Sequence, residues 1–210
     1  MKLSIRIFGF ILFMAMGLCS PCTMHAASLT PQQVAQRAAS GINASKGLSA
    51  EFTMTAGGKS TKGTIKSLGS KFAVSMPQVS TWYNGKSLYT YNPRTSETTV
   101  ITPTAQELAE SNPLLYIKSG GAGFTYKFST VKRQGKYIID LLPKNNRSGI
   151  KKMTFTVNSS NFHVEKIAVD ASSGSTVVTI TSFKTGVSLP ASDFEYPKSK
   201  YPKAEIVDLR

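Results

Sequence analysis

Few residues in this 210-residue chain could do covalent chemistry, and their positions narrow the function early. Thiol nucleophiles and thiolate metal sites need cysteine, and most proton-transfer sites lean on histidine. The chain has two of each: Cys19, Cys22, His25 and His163. Three of these four fall in a stretch with the pattern of an export signal. Lys2 and Arg6 precede an apolar run from Ile7 to Leu18, and the small residues Ala26 and Ala27 follow at a plausible cleavage point. The run is too short, with the wrong flanks, for a membrane span. A lipoprotein signal is the rival reading, because two cysteines lie nearby. Leu18 and Pro21 stand before them where a small residue is needed, which favours simple export.

Removing residues 1–27 leaves 183 residues with 23 basic and 11 acidic side chains, a net charge of +12. No cysteine remains, so thiolate chemistry is excluded from the mature chain, and one histidine cannot build a histidine metal cluster. A Ser-His-Asp arrangement would have to rest on His163, which sits in NFHVEKIAVD at the edge of an alternating run, where a strand surface is its ordinary place. The acidic residues are scattered. The chain therefore reads as non-enzymatic, with no cofactor and no metal site. A domain of this length buries a sizeable core without disulfides.

The elements that would position any site follow from periodicity. In SLTPQQVAQRAASGI, Thr30 is suited to cap a helix, Pro31 to its first position and Gln33 to a capping box. Leu29 and Val34 fit a hydrophobic staple, and Val34, Ala38 and Ile42 form a narrow apolar stripe. From Leu48 onward the period becomes two, with turn signals such as AGGK, LGSK, NGK, RQGK and ASSGS between the runs. About eleven strands are expected, too many for one flat sheet in a small domain, so the meander should form a strongly curved, incompletely closed antiparallel barrel. Residues 101–124 interrupt it. Thr104 with Glu107 makes a second capping box, and Asn112-Pro113 restarts a helix before Leu114, Leu115 and Ile117. Helices inserted there must cover a sheet face or a barrel mouth.

One hairpin, TWYNGKSLYTYNP at 81–93, concentrates a tryptophan and three tyrosines around Asn84-Gly85, the sequence of a two-residue type I′ turn. That turn would pair Tyr83 with Lys86 and Trp82 with Ser87. Trp82, Tyr89 and Tyr91 then share one face with Ser80 and Ser87, while Val79, Thr81, Tyr83 and Leu88 share the other. The rings could be core, the wall of an apolar cavity, or a platform for single-stranded nucleic acid. A platform needs cations between the rings, and only Lys86 lies here, so the wall of a curved sheet fits better. The Trp82, Tyr89 and Tyr91 face is expected to look inward.

Four segments, LSAEF at 48–52, NGKSLYTYNP at 84–93, NPLLYI at 112–117 and FEYPKSKYPKAEIVDLR at 194–210, resemble in order and spacing the periplasmic outer-membrane lipoprotein carriers of the LolA type. The second is similar to that family's DGK-x-x-W-x-Y-x-P hairpin, with Asn84 and Tyr89 replacing the aspartate and tryptophan. The resemblance covers essentially the whole mature chain, 28–210, as one lipid-binding domain. It implies a monomer whose hydrophobic cavity takes lipoprotein acyl chains from an inner-membrane ABC transporter and delivers them to the outer membrane, with an outer-membrane receptor as a further partner. Phe52, Met54, Phe72, Val74, Trp82, Tyr89, Tyr91, Met153 and Phe155 would line that cavity, and Leu114, Leu115 and Ile117 would belong to its lid. The family's lid-latching arginine aligns near Leu68-Gly69, with Lys66 two positions early, so this chain lacks that latch. Alternatives are a lipoprotein or lipid sensor of the same fold, or a basic module for nucleic acid or another polyanion.

Overall fold

The computed structural model describes residues 28–43, 47–112, 114–115, 123–145 and 149–210. Residues 1–27, read above as an export signal, and Ile117 lie outside the described residues. Helix α1, Pro31–Asn43, begins as the sequence requires: Thr30 Oγ1 accepts from the Gln33 N–H at 3.2 Å, and the Thr30 N–H donates to Gln33 Oε1 at 2.9 Å. Its apolar stripe is buried, with Val34 fully covered and Leu29 packed beside the core. The helix lies against the strands later named β7 and β8.

Twelve strands make one sheet. In chain order they are β1 Leu48–Ala56, β2 Lys59–Leu68, β3 Lys71–Met76, β4 Val79–Tyr83, β5 Leu88–Asn92, β6 Glu97–Ile101, β7 Phe124–Phe128, β8 Lys136–Pro143, β9 Ile150–Asn158, β10 Val164–Ala171, β11 Gly174–Thr185 and β12 Glu205–Asp208. The spatial order is β12-β6-β5-β4-β3-β2-β1-β11-β10-β9-β8-β7. All pairings are antiparallel except β12, which runs parallel to β6. The two ends of the sheet, β12 and β7, do not pair, so the barrel stays open. Thr181 is an extra residue in β11 where the β1 register jumps from Glu51–Ser182 to Phe52–Ile180, a bulge of the kind that bends a sheet.

The chain leaves β6 near one end of the sheet and reappears in β7 at the other. Helix α2, Ala105–Ser111, is carried on that crossing. On the inner face, alternate residues of the central strands build the main core. Phe72, Met153, Phe155, Ile139 and Ile167 are all at most 1 % exposed there. Each such side chain contributes roughly 1.5–3 kcal/mol by leaving water.

The outer face carries a second, smaller cluster. After β11 the chain runs through two short 3-10 turns, Ala191–Phe194 and Lys198–Lys200, and then adds β12. Phe194 is fully buried, as is Thr98, and Val100 nearly so. Tyr196 stacks on Tyr89 (5.7 Å, 6°) and meets Trp82 edge-on at 5.6 Å, while Tyr201 packs on Tyr91 at 4.1 Å. Asn84 Nδ2 donates to Glu195 at 3.0 Å, and Lys66 pairs with Asp193 at 3.1 Å. The C-terminal segment is thus a strap across β2–β6.

Two hairpin expectations change. Asn84-Gly85 is part of a four-residue loop, because Tyr83 pairs with Leu88 and Trp82 with Tyr89. Asn84 Oδ1 accepts from the N–H groups of both Lys86 and Ser87, at 3.0 and 2.9 Å, which stabilises the longer turn. The slip is two residues, an even number, so every side chain keeps the face assigned to it. Which face looks inward is reversed. Tyr83 stands opposite Phe72 and packs on the main core, so Trp82, Tyr89 and Tyr91 point outward beneath the strap. The physical reason is the strap itself: it supplies rings that half-bury an aromatic outer face.

Candidate functional site

A cavity of about 90 Å³ lies within the curve of the sheet. Ala50, Phe52 and Met54 project into it from β1, Ile65 from β2, Val74 and Met76 from β3, and Ile167, Val178 and Ile180 from β10 and β11. Ser111 at the end of α2 and Leu114 just beyond complete the lining. Among the described lining residues none is charged, and Ser111 brings the one hydroxyl. Strand alternation explains the wall: residues two apart along β1 and β11 fall on one face.

The helical crossing is held by its own sequence. The Glu107 N–H donates to Thr104 Oγ1 at 3.3 Å, and the Thr104 N–H returns a bond to Glu107 Oε2 at 2.7 Å, the reciprocal capping box. Bonds from the Thr104 backbone and hydroxyl hold the Glu107 carboxyl below its ordinary pKa. Asn112 is fully buried, and its Oδ1 accepts from the Leu114 N–H at 3.0 Å, which turns the chain so that Leu114 enters the wall. Leu115 packs on the core beside it.

Phe52 and Met76 line a second space as well, an open groove of about 620 Å³ shared with Lys62, Gly63 and Pro77. The wall is thin here for a local reason. Gly63 pairs with Phe52 across the β1–β2 ladder, and a Cβ on it would stand 2.4 Å from Phe52 Cζ and 2.8 Å from Met76 Cγ. The absent side chain is the room the phenyl ring occupies.

Of the residues expected to form the site, Phe52, Met54, Val74 and Leu114 line the cavity. Phe72, Met153 and Phe155 lie on the same inner face within the packed core. Trp82, Tyr89 and Tyr91 are on the opposite face and cannot reach the cavity, nor are they an open stacking platform, since Tyr196 and Tyr201 cover them. Seven lining residues were missed: Ala50, Ile65, Met76, Ser111, Ile167, Val178 and Ile180. Strand alternation carried the signal of all but Ser111, yet which of several inward rows bounds the space depends on curvature. Lys66 ties the strap through Asp193. Among the described residues, no helix is long and apolar enough to cross a membrane.

An open, curved antiparallel sheet with a helical crossing beside an apolar cavity defines a binding fold for apolar groups. Residues 23–173 match the family model described as outer membrane lipoprotein carrier protein LolA, and the chain belongs to that family. None of the curated proteins matches it. Among solved structures, it is similar to an uncharacterized conserved protein from Thermus thermophilus, 12 % identical, covering 84 % of this chain and 98 % of that one, with a TM-score of 0.58. It is also similar to a DUF1329 family protein from Desulfovibrio piger, 13 % identical, covering 82 % and 100 %, TM-score 0.50. A LolA superfamily protein from Nitrosomonas europaea matches at 14 % identity over 80 % and 99 % of the two chains, TM-score 0.43. Identities this low speak to the fold alone.

Proposed function

We propose that this protein is an exported, non-enzymatic periplasmic carrier. In this reading the cavity holds the acyl chains of lipoproteins, received from an inner-membrane ABC transporter and carried to the outer membrane. The observation that carries the reading is the apolar lining of the cavity, uncharged among the described residues, beside a helical segment that begins on a side-chain cap. Phe52, Met54, Val74 and Leu114 touch the cargo. Phe72, Met153 and Phe155 support the wall behind them, and Leu115 travels with the lid.

The arithmetic favours a lid that moves. Each buried methylene is worth roughly 0.8 kcal/mol, so ten of them supply about 8 kcal/mol, near micromolar affinity. The cavity of about 90 Å³ is well below the roughly 300–1,000 Å³ of ordinary ligand pockets, so loading requires enlargement. Displacing α2 with Leu114 enlarges it, and the cost of doing so weakens net binding enough for release.

Protein purified without detergent from cells making its own lipoproteins should release acylated protein or lipid in denaturing mass spectrometry. It should also bind an apolar fluorescent probe that such cargo displaces. Repeatedly empty preparations that ignore the probe would sink this reading.

A further inference from the structure

We propose that the β7–β8 hairpin tip, residues 128–135, docks the protein on the surface of an anionic phospholipid bilayer. Two large apolar side chains are exposed there, Phe128 at 43 % and Val131 at 57 %. Cations flank them. Lys127, Lys132 and Arg133 are all exposed in the same stretch, and residues 124–139 contain no acidic residue.

The carboxylates nearest the tip are already engaged. Glu165 accepts from Lys136 and Asn158, Asp140 from Thr154 at 2.8 Å, and Asp170 from Ser175 at 2.7 Å with Lys152 at 3.9 Å. Asp140 and Asp170 do line the outer groove beside Val131 and Arg133, together with Lys152 and Lys166. Cations therefore outnumber carboxylates around the tip, and Glu165 and Asp170 are each paired with a lysine.

The base of the tip is firm. Phe128 stacks on Tyr137 at 6.2 Å, Tyr137 on Phe162 at 6.0 Å, and the Arg37 guanidinium of α1 covers Phe162 at 5.0 Å. The Ser159 N–H of the β9–β10 turn donates to the Gly135 carbonyl at 3.0 Å. A rigid loop presenting a pair of apolar side chains amid cations suits the bilayer interface, where apolar groups enter the headgroup boundary and lysine and arginine meet anionic lipid. Two side chains on a loop offer far less than the roughly 800 Å² per partner of a stable protein interface. Charge complementarity thus selects the lipid surface, and the inference stands whatever fills the cavity.

Vesicle co-sedimentation tests it. The purified protein should partition onto phosphatidylcholine vesicles containing roughly 30 % phosphatidylglycerol, not onto phosphatidylcholine alone, and added salt should weaken the binding. Replacing two cations in the K132Q/R133Q variant should weaken partition by about 25-fold at about fivefold per charge. Val131→Glu, on an exposed loop, should weaken it by at least about tenfold while thermal unfolding stays unchanged. Partition that ignores lipid charge, wild-type protein that stays in the supernatant, or either variant binding like the wild type would overturn the proposal.

Discussion

Replacing Gly63 with alanine tests whether Phe52 is the movable wall of the cavity. The new Cβ would sit 2.4 Å from Phe52 Cζ and 2.8 Å from Phe52 Cε2, where ordinary contact begins near 3.4 Å, so the ring has to retreat by about 1 Å. In a solid core such overpacking costs about 1–3 kcal/mol. Here the ring borders empty space of about 90 Å³ and can yield into it. Alanine also removes conformational freedom from the unfolded chain, a gain of about 0.4–1 kcal/mol. The two contributions nearly offset, so the melting temperature should change by no more than about 4 °C. The effect should appear in the cavity instead, because a ring displaced into so small a volume excludes ligand. Fluorescence titration with an apolar probe should show at least about a tenfold loss of affinity, the equivalent of two lost methylenes. In a Phe52→Leu background, which removes the ring and leaves only the Met76 Cγ contact at 2.8 Å, Gly63→Ala should cost much less binding. Unchanged probe affinity in Gly63→Ala, or the same loss with leucine at position 52, would refute the argument.

Four other outcomes follow from the same contacts. Trp82 is the sole tryptophan and lies under the strap, so Tyr196→Ala with Tyr201→Ala should red-shift its emission while probe binding persists; probe binding that falls in step would place the ring nearer the cavity than its contacts do. Thr104→Ala removes the α2 cap at a cost of about 1 kcal/mol to that helix, and stopped-flow probe uptake should become faster if the helix is the lid. Phe72→Ala should destabilise by about 3–5 kcal/mol, read by chemical denaturation, because the ring is fully buried. Hydrogen bonding to Lys136 lowers the Glu165 pKa from 4.5; a carboxyl depressed on folding adds stability that is present above the unfolded value and is lost as pH falls through the folded one. The thermal unfolding temperature should therefore fall with acid below about pH 4.5, and less so in Glu165→Gln.

Much of the architecture was legible locally. Thr30 with Gln33 and Thr104 with Glu107 act within three residues, and both capping boxes form as read. Strand alternation assigned the hairpin faces correctly even though the register slipped by two, since an even slip preserves sidedness. The loop length was misread because Asn84-Gly85 suits more than one turn, and the Asn84 side chain chose the longer one. The parallel edge strand β12 has only four residues and gains its partner from β6, over a hundred positions away.

What the sequence alone determined is therefore most of the elements, the two faces of each strand read from it and membership in a carrier family. Periodicity and capping are short-range and survive in isolation. Only the tertiary structure decided which face is inside. Phe52, Met54 and Val74 line the cavity because the sheet curves toward them, while Trp82, Tyr89 and Tyr91 lie outside because a strap from the far end of the chain brings Tyr196 and Tyr201 to cover them. Alternation says that two faces differ. It carries no sign for inside, because curvature and long-range cover are properties of the assembled sheet.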